Sequence, residues 1–278
     1  MRRLWLLRRT DRRLFPMNMS DSGQSSQGPV TPQNPARPVA VITGGTRGIG
    51  LSIAQKLANE GYALALIYQR HHAQAREARD MLRRKVPVET FPVDVRHWTA
   101  LQDTMSGIYK AWGPISLAVH NAASGVARPL LNTTLRHFDF TLEVNAGGLI
   151  GLAQAVVPKM TSSAHIIAIS SLGARVSYPE YGLISASKAA LEAIVRQLAR
   201  ELGSHHITVN AIAAGPIPSQ TLSHFDGGQS WLQEFVEKVP MHQPLSENDV
   251  VQALWYLIQQ KMINGQVLTV DGGFLTMA

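Results

Sequence analysis

The stretch 39–50, VAVITGGTRGIG, joins five apolar or β-branched residues to a turn that contains four glycines. The first five residues predict a buried strand, and a helical pattern begins near Ile49. Glycines in such a turn let backbone N–H groups approach a pyrophosphate, which the positive end of the following helix stabilises. The spacing is G-x3-G-x-G rather than G-x-G-x-x-G, but its position directly after the first strand favours a dinucleotide site.

The rest of the chain alternates short apolar strands with helical segments. The candidate strands are 39–43, 62–68, 88–93, 115–120, 164–170, 206–211 and 266–270. The candidate helices are 49–60, 72–85, 99–111, 134–160, 185–202 and 246–260. Strands with few charges, separated by helices, indicate a parallel sheet that is buried on both faces. We therefore predict one doubly wound α/β domain, Rossmann-like, with about seven strands, over residues 39–278.

Residues 1–38 differ from the body of the chain in charge and composition. Seven arginines against two aspartates give this segment +5 of the total net charge of +7, which leaves +2 for residues 39–278. The nearly neutral body lacks a basic footprint for nucleic acid. The segment is interpreted as a disordered or non-native extension. An arginine-rich targeting peptide and a nucleic-acid or membrane arm are the alternatives.

Several classes of site are excluded by composition. The chain has no cysteine, which removes disulfides, thiol nucleophiles and cysteine-bound metals, and fits a reducing compartment. The ten histidines form no metal-binding pattern, so we expect no metal. No apolar run approaches the roughly 18 residues that a membrane span needs, so we expect a cytoplasmic protein without a membrane segment.

The choice of cofactor depends on the residues that follow the second strand. An acidic residue there would bind the 2′-hydroxyl of NAD. The chain instead has Tyr68-Gln69-Arg70, and Arg47 lies in the glycine turn. Guanidinium groups pair well with phosphate, so Arg47 and Arg70 favour the 2′-phosphate of NADPH.

Further motifs occur in the order in which the short-chain dehydrogenase/reductase superfamily carries them. They are Asp94-Val95, Asn121-Ala122-Ala123, Asn145, Ser170-Ser171, Tyr181 through Lys188, Gly215-Pro216 and Asp271-Gly272-Gly273. The sequence resembles that superfamily over residues 39–278. The resemblance implies a nicotinamide cofactor and a homo-tetramer.

One departure within this resemblance is informative. Ordinary members carry Tyr-x3-Lys, but the residue at that tyrosine position is Ile184, and Tyr181 precedes Lys188 by seven residues. Tyr-x6-Lys is typical of the branch that reduces enoyl thioesters. The stretch from Ser171 to Glu192 resembles enoyl-acyl-carrier-protein reductases. The segments 121–125 (NAASG) and 222–225 (LSHF) are most similar to the type III enzyme, and related enoyl-CoA reductases share much of this pattern.

The resemblance implies a role for each candidate catalytic residue. Tyr181 would donate a hydrogen bond to the enolate oxygen, and Lys188 would hold the nicotinamide ribose and favour ionisation of the tyrosine. Ser171 would bind the substrate or only cap its strand. Asn145 would break its helix and relay through water to Lys188. Tyr178 is a weaker candidate donor.

The resemblance also implies a set of cofactor-binding residues. They are Gly44, Thr46, Arg47, Gly48, Ile49, Gly50, Arg70, Asp94, Val95, Asn121, Ala122, Ala123, Lys188, Gly215, Pro216, Ile217 and Ser219. Asp94 would accept from the adenine amine, with Val95 packed beside it, and Ala123 replaces the usual glycine. Residues 217–245, with apolar Leu222, Phe225, Trp231 and Phe235, would form an acyl-chain lid or an ordinary packed helix.

These observations predict NADPH-dependent reduction of the 2,3-double bond of an enoyl thioester in fatty-acid or related secondary metabolism. The expected partners are an enoyl thioester linked to CoA or to acyl carrier protein, without nucleic acid or membrane. The first alternative is an NADPH-dependent 3-oxoacyl or ketone reductase, because a fold does not fix a function. The second alternative is a non-catalytic cofactor-binding partner.

Overall fold

The computed structural model describes residues 37–218 and 228–277. Seven strands form one sheet: β1 Val39–Thr43, β2 Ala63–Tyr68, β3 Val88–Pro92, β4 Ile115–His120, β5 Met160–Ser171, β6 Thr208–Ala214 and β7 Val267–Val270. Eight α-helices accompany them in the described parts of the chain: α1 Gly48–Asn59, α2 His72–Leu82, α3 Trp98–Trp112, α4 Leu135–Leu142, α5 Gly148–Val156, α6 Gly182–Leu202, α7 Gly228–Lys238 and α8 Glu247–Ile258.

All neighbouring strands pair in parallel, in the order β3-β2-β1-β4-β5-β6-β7. The predicted doubly wound sheet is therefore confirmed. The chain runs outward from β1 to β3, then returns and runs outward again from β4 to β7. This reversal leaves a crevice at the carboxyl ends of β1 and β4, where ligands bind in open α/β sheets. Thr43, the last residue of β1, pairs there with Ile67 of β2 and His120 of β4.

Two apolar layers cover the sheet, one on each face. Ile42 faces a core that includes Leu254 of α8, while Val41 faces a core that includes Leu149 of α5. All five residues of β1 are buried, because its side chains are covered from both sides. Burial on both faces accounts for the uncharged strand pattern in the sequence.

The predicted helix 134–160 is interrupted. The π-helical turn Glu143–Gly147 separates α4 from α5, and a π turn inserts one extra residue into an α-helix. The whole segment Leu135–Lys159 passes the length and composition test for a membrane span, with a mean hydropathy of 1.4, and 61% of the tested window is buried. Because the segment contains no long uninterrupted apolar run, the sequence pattern does not single it out, and the expectation of no membrane segment stays a prediction. Core helices pass the same test, and Leu149 and Leu152 lie fully inside the fold.

Other boundaries differ from the predictions by a few residues. β5 begins at Met160, which pairs with Ile115 of β4, and the register then shifts so that the next paired residue is His165. β6 extends to Ala214, where small residues still pair with Ser171 of β5. α6 begins at Gly182 rather than near residue 185, so Tyr181 stands at the start of the helix.

Candidate active site

A cavity of about 990 Å³ opens at the carboxyl ends of the strands, at the predicted crevice. Of the predicted cofactor residues, those that line it are Gly44, Thr46, Arg47, Gly48, Ile49, Arg70, Asp94, Val95, Asn121, Ala122, Ala123, Lys188, Gly215, Pro216 and Ile217. Tyr181 and Ser171 line it as well. Gly50 lies behind the turn, and Ser219 lies outside the described residues.

The glycine turn has the geometry that a pyrophosphate requires. Gly44 and Gly48 have φ angles of +63° and +53°, which favour glycine. A Cβ on Gly50 would lie 2.2 Å from the carbonyl oxygen of Gly44. No side chain caps the N-terminus of α1, where Arg47 is the N-cap residue. The first-turn N–H groups of α1 therefore lack a side-chain acceptor, and the residues fit a phosphate-bearing cofactor.

Thr43 joins this turn to the end of β4. Its Oγ1 accepts from the backbone N–H groups of Asn121 and Ala122, each at 3.1 Å. The Asn121 side-chain amide donates to the carbonyl oxygen of Gly44 at 3.0 Å. These contacts hold the two strand ends at a fixed separation.

The far end of the cavity carries the two predicted phosphate-binding arginines. Arg47 and Arg70 are both exposed side chains that line the cavity. Asp94 accepts from Gln69 Nε2 at 2.6 Å and from Arg96 Nη2 at 2.7 Å. Burial alone would raise the pKa of Asp94, but the hydrogen bonds from Arg96 and Gln69 lower it. Its carboxylate is therefore ionised and already bonded, while its contact with adenine stays a prediction.

His120 is a buried site residue that the sequence reading did not single out. Its Nε2 lies 2.9 Å from the backbone oxygen of Asn145, and its Nδ1 lies 3.3 Å from Thr43 Oγ1. Burial, followed by the charge of Lys188, lowers the pKa of His120 to about 3 against the opposing bond to Asn145. Because a carbonyl only accepts, the neutral ring carries its proton on Nε2 and accepts at Nδ1. A histidine directly before Asn121-Ala122-Ala123 was the available signal.

Asn145 lies in the π turn, so the local break expected in this helix is present. Its Oδ1 accepts from the N–H of Ser124 at 2.9 Å, and its Nδ2 donates to Ser187 Oγ at 2.8 Å. Its backbone oxygen is the one that binds His120. Asn145 therefore fixes the loop after β4 against α6, and the water relay to Lys188 stays a prediction.

Tyr181 and Ser171 meet at the end of β5. Tyr181 Oη donates to Ser171 Oγ at 3.5 Å, and Ser171 Oγ also accepts from the N–H of Gly173 at 3.1 Å. A Cβ on Gly173 would lie 2.5 Å from the Tyr181 ring, so the glycine makes room for it. Burial raises the pKa of Tyr181, and the bond to Ser171 opposes this. The sequence predicts that the Lys188 ammonium lowers the pKa of Tyr181, whereas burial raises it. The phenol therefore stays protonated, as a hydrogen-bond donor must.

Ile184 occupies the position at which ordinary members carry the tyrosine. Its side chain is buried and packs against Gly125, where a Cβ would lie only 2.4 Å from Ile184 Cγ1. The position holds an apolar contact and no hydroxyl. Hydroxyls that line the cavity near this position are those of Ser170, Ser171, Tyr178 and Tyr181.

Lys188 is buried, and its Nζ donates to the carbonyl oxygen of Ile169 at 2.8 Å. Burial lowers the pKa of Lys188 to about 8, and the nearby Glu192 carboxylate opposes that shift. The side chain is therefore mostly charged at pH 7 and loses its proton at a lower pH than an exposed lysine does.

Tyr178, Tyr181 and Trp231 form an aromatic wall of the cavity. The ring centroids of Tyr178 and Trp231 lie 4.6 Å apart in a T-shaped contact. The Tyr178 hydroxyl is buried without a hydrogen-bond partner among the described residues. Burial, then Tyr181 and Asp271, raises the pKa of Tyr178 to about 12.

The described part of the segment predicted as a lid or packed helix contains α7. Its Phe235 is buried in the core beside Gly215, which agrees with the packed-helix alternative, while Trp231 faces the cavity. Leu222 and Phe225 lie outside the described residues, so the lid stays a prediction. Within residues 37–218 and 228–277, no group of three or more His, Asp or Glu side chains could hold a metal.

The family model described as enoyl-(acyl carrier protein) reductase matches residues 44–275. The chain belongs to this family. The match spans the glycine turn, the π turn and the Tyr181–Lys188 segment, each of which contributes residues to the cavity lining. The chain is therefore an oxidoreductase of the short-chain dehydrogenase/reductase superfamily.

Curated relatives of this short-chain reductase act on more than one substrate class. An NADH-dependent enoyl-acyl-carrier-protein reductase of Nostoc sp. is 30% identical, over 86% of this chain and 96% of the relative. A 1-cyclohexenylcarbonyl-CoA reductase of Streptomyces collinus is 29% identical, over 87% and 88%. A 3-oxoacyl-acyl-carrier-protein reductase of Staphylococcus epidermidis is 28% identical, over 84% and 97%. Similarity alone does not separate enoyl from 3-oxoacyl reduction.

Solved structures support the same superfamily. A short-chain dehydrogenase/reductase from Serratia marcescens superposes with a TM-score of 0.80 at 26% identity, over 87% of this chain and 99% of that chain. A blue fluorescent protein from a metagenomic library, in complex with NADPH, has a TM-score of 0.79 at 28% identity, over 85% and 97%.

Proposed function

We propose that this short-chain reductase catalyses NADPH-dependent reduction of the 2,3-double bond of an enoyl thioester. The observation that carries the proposal is the position of the hydroxyls. Tyr181 meets Ser171 at the cavity, whereas the ordinary tyrosine position holds Ile184, packed against Gly125. A donor that lies away from the ordinary position suits an oxygen that is not on the carbon receiving the hydride.

The chemistry of conjugate reduction explains why such a donor is needed. A bound nicotinamide cofactor supplies a hydride, which in this reaction goes to the β-carbon of the enoyl group. Negative charge then develops on the thioester oxygen, which is bound to the carbon two positions further along. Tyr181 donates a hydrogen bond to that oxygen, and a protonated phenol in a buried site stabilises it more strongly than water does. The enolate takes up a proton from water at the α-carbon, which completes the reduction.

Ser171 and Lys188 support this donor. Ser171 Oγ accepts from the N–H of Gly173 at 3.1 Å and from Tyr181 at 3.5 Å. When Tyr181 turns its single proton to the thioester oxygen, Ser171 keeps the bond from Gly173 and can donate its own proton to the substrate. Lys188 lines the cavity and would hold the ribose of the cofactor, and its ammonium brings a positive charge to a buried site. Asn145 holds the loop after β4, which forms one edge of the cavity.

The proposal of NADPH rather than NADH is based on charge. Arg47 and Arg70 line the end of the cavity that follows β2, and no carboxylate stands among Tyr68, Gln69 and Arg70. The Nostoc relative is named for NADH, so the preference is a property of this chain's own residues. Comparison of kcat/KM for the two cofactors tests it, and equal use of both would refute NADPH preference.

The test of the reaction is a paired comparison of substrates. Crotonyl-CoA or a longer enoyl thioester and the matching 3-oxoacyl thioester are supplied to the purified full chain with NADPH, and cofactor oxidation is followed by absorbance. We expect turnover of the enoyl substrate and almost none of the 3-oxo substrate. Faster turnover of the 3-oxo substrate would establish the ketoreductase alternative, which the Staphylococcus relative represents.

The setting of the reaction follows from the same proposal. We expect the acyl group to be carried by acyl carrier protein or CoA, and the enzyme to act in the cytoplasm as a homo-tetramer. Kinetics with both carriers and the mass of the protein in solution test the carrier and the assembly.

A further inference from the structure

Glu192 is a buried carboxylate that the proposed reaction does not use. It lies on α6, four residues after Lys188, and only 5% of its surface is exposed. Residues four apart on a helix lie on the same face, with Cβ atoms about 6 Å apart. Carboxylates are seldom buried to this extent unless they are paired.

The two carboxylate oxygens of Glu192 have different partners. Ser170 Oγ donates to Oε1 at 2.8 Å, and Ser170 lines the cavity beside Ser171. Arg175 Nε lies 3.7 Å from Oε2. The Arg175 side chain is 39% exposed and also donates to Thr269 Oγ1 at 3.3 Å. The carboxylate is therefore between a buried serine and a guanidinium that reaches solvent.

Within the described residues, Lys188 forms no ion pair. Its Nζ donates a hydrogen bond to a neutral carbonyl oxygen, that of Ile169. The groups on other elements do not neutralise it, since His120 on β4 is uncharged and Asn145 in the π turn is a neutral amide. The phenols Tyr178 and Tyr181 share the cavity with Lys188, and both are protonated because burial raises their pKa values. Lys188 and Glu192 contact consecutive residues of β5, Ile169 and Ser170, and the Glu192 charge raises the pKa of Lys188 against the effect of burial.

We propose that Glu192 is a positioning residue, the buried counter-ion of the Lys188 ammonium, and that Arg175 shares its charge from the solvent side. A buried ammonium carries a large free-energy cost for its lost hydration. Without a counter-ion to offset that cost, it releases its proton and becomes a neutral amine. Ser170 orients the Glu192 carboxylate through its hydrogen bond to Oε1. The last two residues of β5 therefore have separate roles: Ser171 faces the substrate, and Ser170 holds the counter-ion of Lys188. The consequence for catalysis rests on the proposed function, whereas the counter-ion itself is measurable without substrate or cofactor.

The test is a direct titration of Lys188 in the full chain. The chain has seven lysines, so ¹³C labelling of lysine side chains gives few NMR signals, and Lys188→Arg identifies the signal that belongs to Lys188. In Glu192→Gln, which keeps the acceptor for Ser170, we expect the pKa of Lys188 to fall by about 1, because a close opposite charge is removed. In Arg175→Gln we expect a smaller rise, because Arg175 no longer offsets the carboxylate.

A matched control is Glu201→Gln. Glu201 is exposed on the same helix and accepts from Gln197 at 2.6 Å, so its loss should leave the Lys188 titration unchanged. If Glu192→Gln does not fold, Arg175→Gln decides the sign. An unchanged Lys188 titration in every folded variant would overturn the proposal.

Turnover gives a second reading. The alkaline limb of the kcat profile should move to lower pH in Glu192→Gln, with unchanged thermal stability at neutral pH. Shifted NMR titrations in a protein that never oxidises NADPH would support the counter-ion and refute the proposed reaction.

Discussion

On the turn side of the cavity, each polar group that joins the strand ends has a partner inside the protein. Thr43 Oγ1 accepts from two backbone N–H groups at 3.1 Å, and His120 bonds on both sides of its ring. On the aromatic wall, Tyr181 meets Ser171 at 3.5 Å and the Tyr178 hydroxyl has no partner in the described residues. Saturated groups fix geometry, whereas hydroxyls with remaining capacity can bind a ligand. The turn side is therefore a preformed binding site for the cofactor, whereas the hydroxyls of the aromatic wall can still form hydrogen bonds to a substrate.

The aromatic wall gives the largest expected effect. Tyr181→Phe should lower kcat for an enoyl thioester by about 10²–10³, the loss typical of one oxyanion donor. Tyr178→Phe is the comparison variant: it removes the hydroxyl of the weaker candidate donor, which bonds to no described residue, and it should lower turnover much less. The measurement is steady-state kinetics of both variants with NADPH. Equal losses in the two variants would contradict the assignment of the donor.

The packing of Ile184 sharpens the same comparison. Ile184→Tyr restores the ordinary spacing to Lys188, yet the added ring would meet Gly125, which already touches Ile184. We expect the double variant with Tyr181→Phe to remain inactive on enoyl substrates. Recovery of enoyl turnover would show that position 181 is not special.

On the turn side, the predicted effect is a loss of folding stability at low pH, which is caused by His120. His120 has a pKa of about 3 in the fold against 6.5 when exposed. The unfolded chain therefore takes up a proton as pH falls below 6.5, while the folded chain does not, and stability is lost toward pH 3. From pH 7 to pH 5 this one residue should lower the free energy of unfolding by about 2 kcal/mol.

Urea unfolding of the unmodified chain and of His120→Asn at the two pH values measures this effect. Asn can bond to Asn145 or Thr43 but does not titrate. The variant should therefore lose about 2 kcal/mol less on acidification. Parallel losses in both proteins would show that other groups dominate.

The exposed end of the turn side gives a smaller effect. Changing Arg47 and Arg70 together to Ala should weaken NADPH binding roughly tenfold, since each exposed ion pair contributes at most about 1 kcal/mol. NADH binding should be unaffected, because NADH lacks the 2′-phosphate. Fluorescence titration with both cofactors measures the two affinities. A similar loss of NADH affinity would show that the arginines do not act on the 2′-phosphate.

Deletion of residues 1–18 should have no effect on either side. The segment has arginines and a short apolar patch but no core pattern, so activity and melting temperature should be unchanged. A large fall in melting temperature would show that it packs against the body.

Much of the sheet was predictable from the sequence because burial on both faces leaves uncharged runs. β1 and β4 have the predicted bounds. β5 was too short in the prediction, since Thr161 to Ser163 are polar and precede a register shift, and the strand reaches back to Met160 only because that residue pairs with Ile115 of β4. β6 was ended too early at Ala211, because alanines are weak strand formers and are held there by their neighbours.

The site residues were predictable from the sequence where they belong to a motif of nearby residues. Tyr181 and Lys188 stand seven residues apart on one turn and helix, and the glycine turn is contiguous. His120 acts through Asn145, 25 residues away, and Glu192 through Ser170, 22 residues away. Such partners become neighbours only when β4, β5 and α6 assemble, so the pattern of either residue alone carried little information.

The π turn has a geometric consequence for the chain before it. One residue in an α-helix corresponds to a rotation of about 100° and an advance of about 1.5 Å. Phe140 of α4 lines the cavity, and its ring lies 5.1 Å from the guanidinium carbon of Arg96. Removal of a single residue from Glu143–Gly147 would leave α5 seated in the core but turn α4 by about a quarter revolution. The inserted residue thus sets the rotation of α4 about the helix axis relative to α5, without moving α5 out of the core.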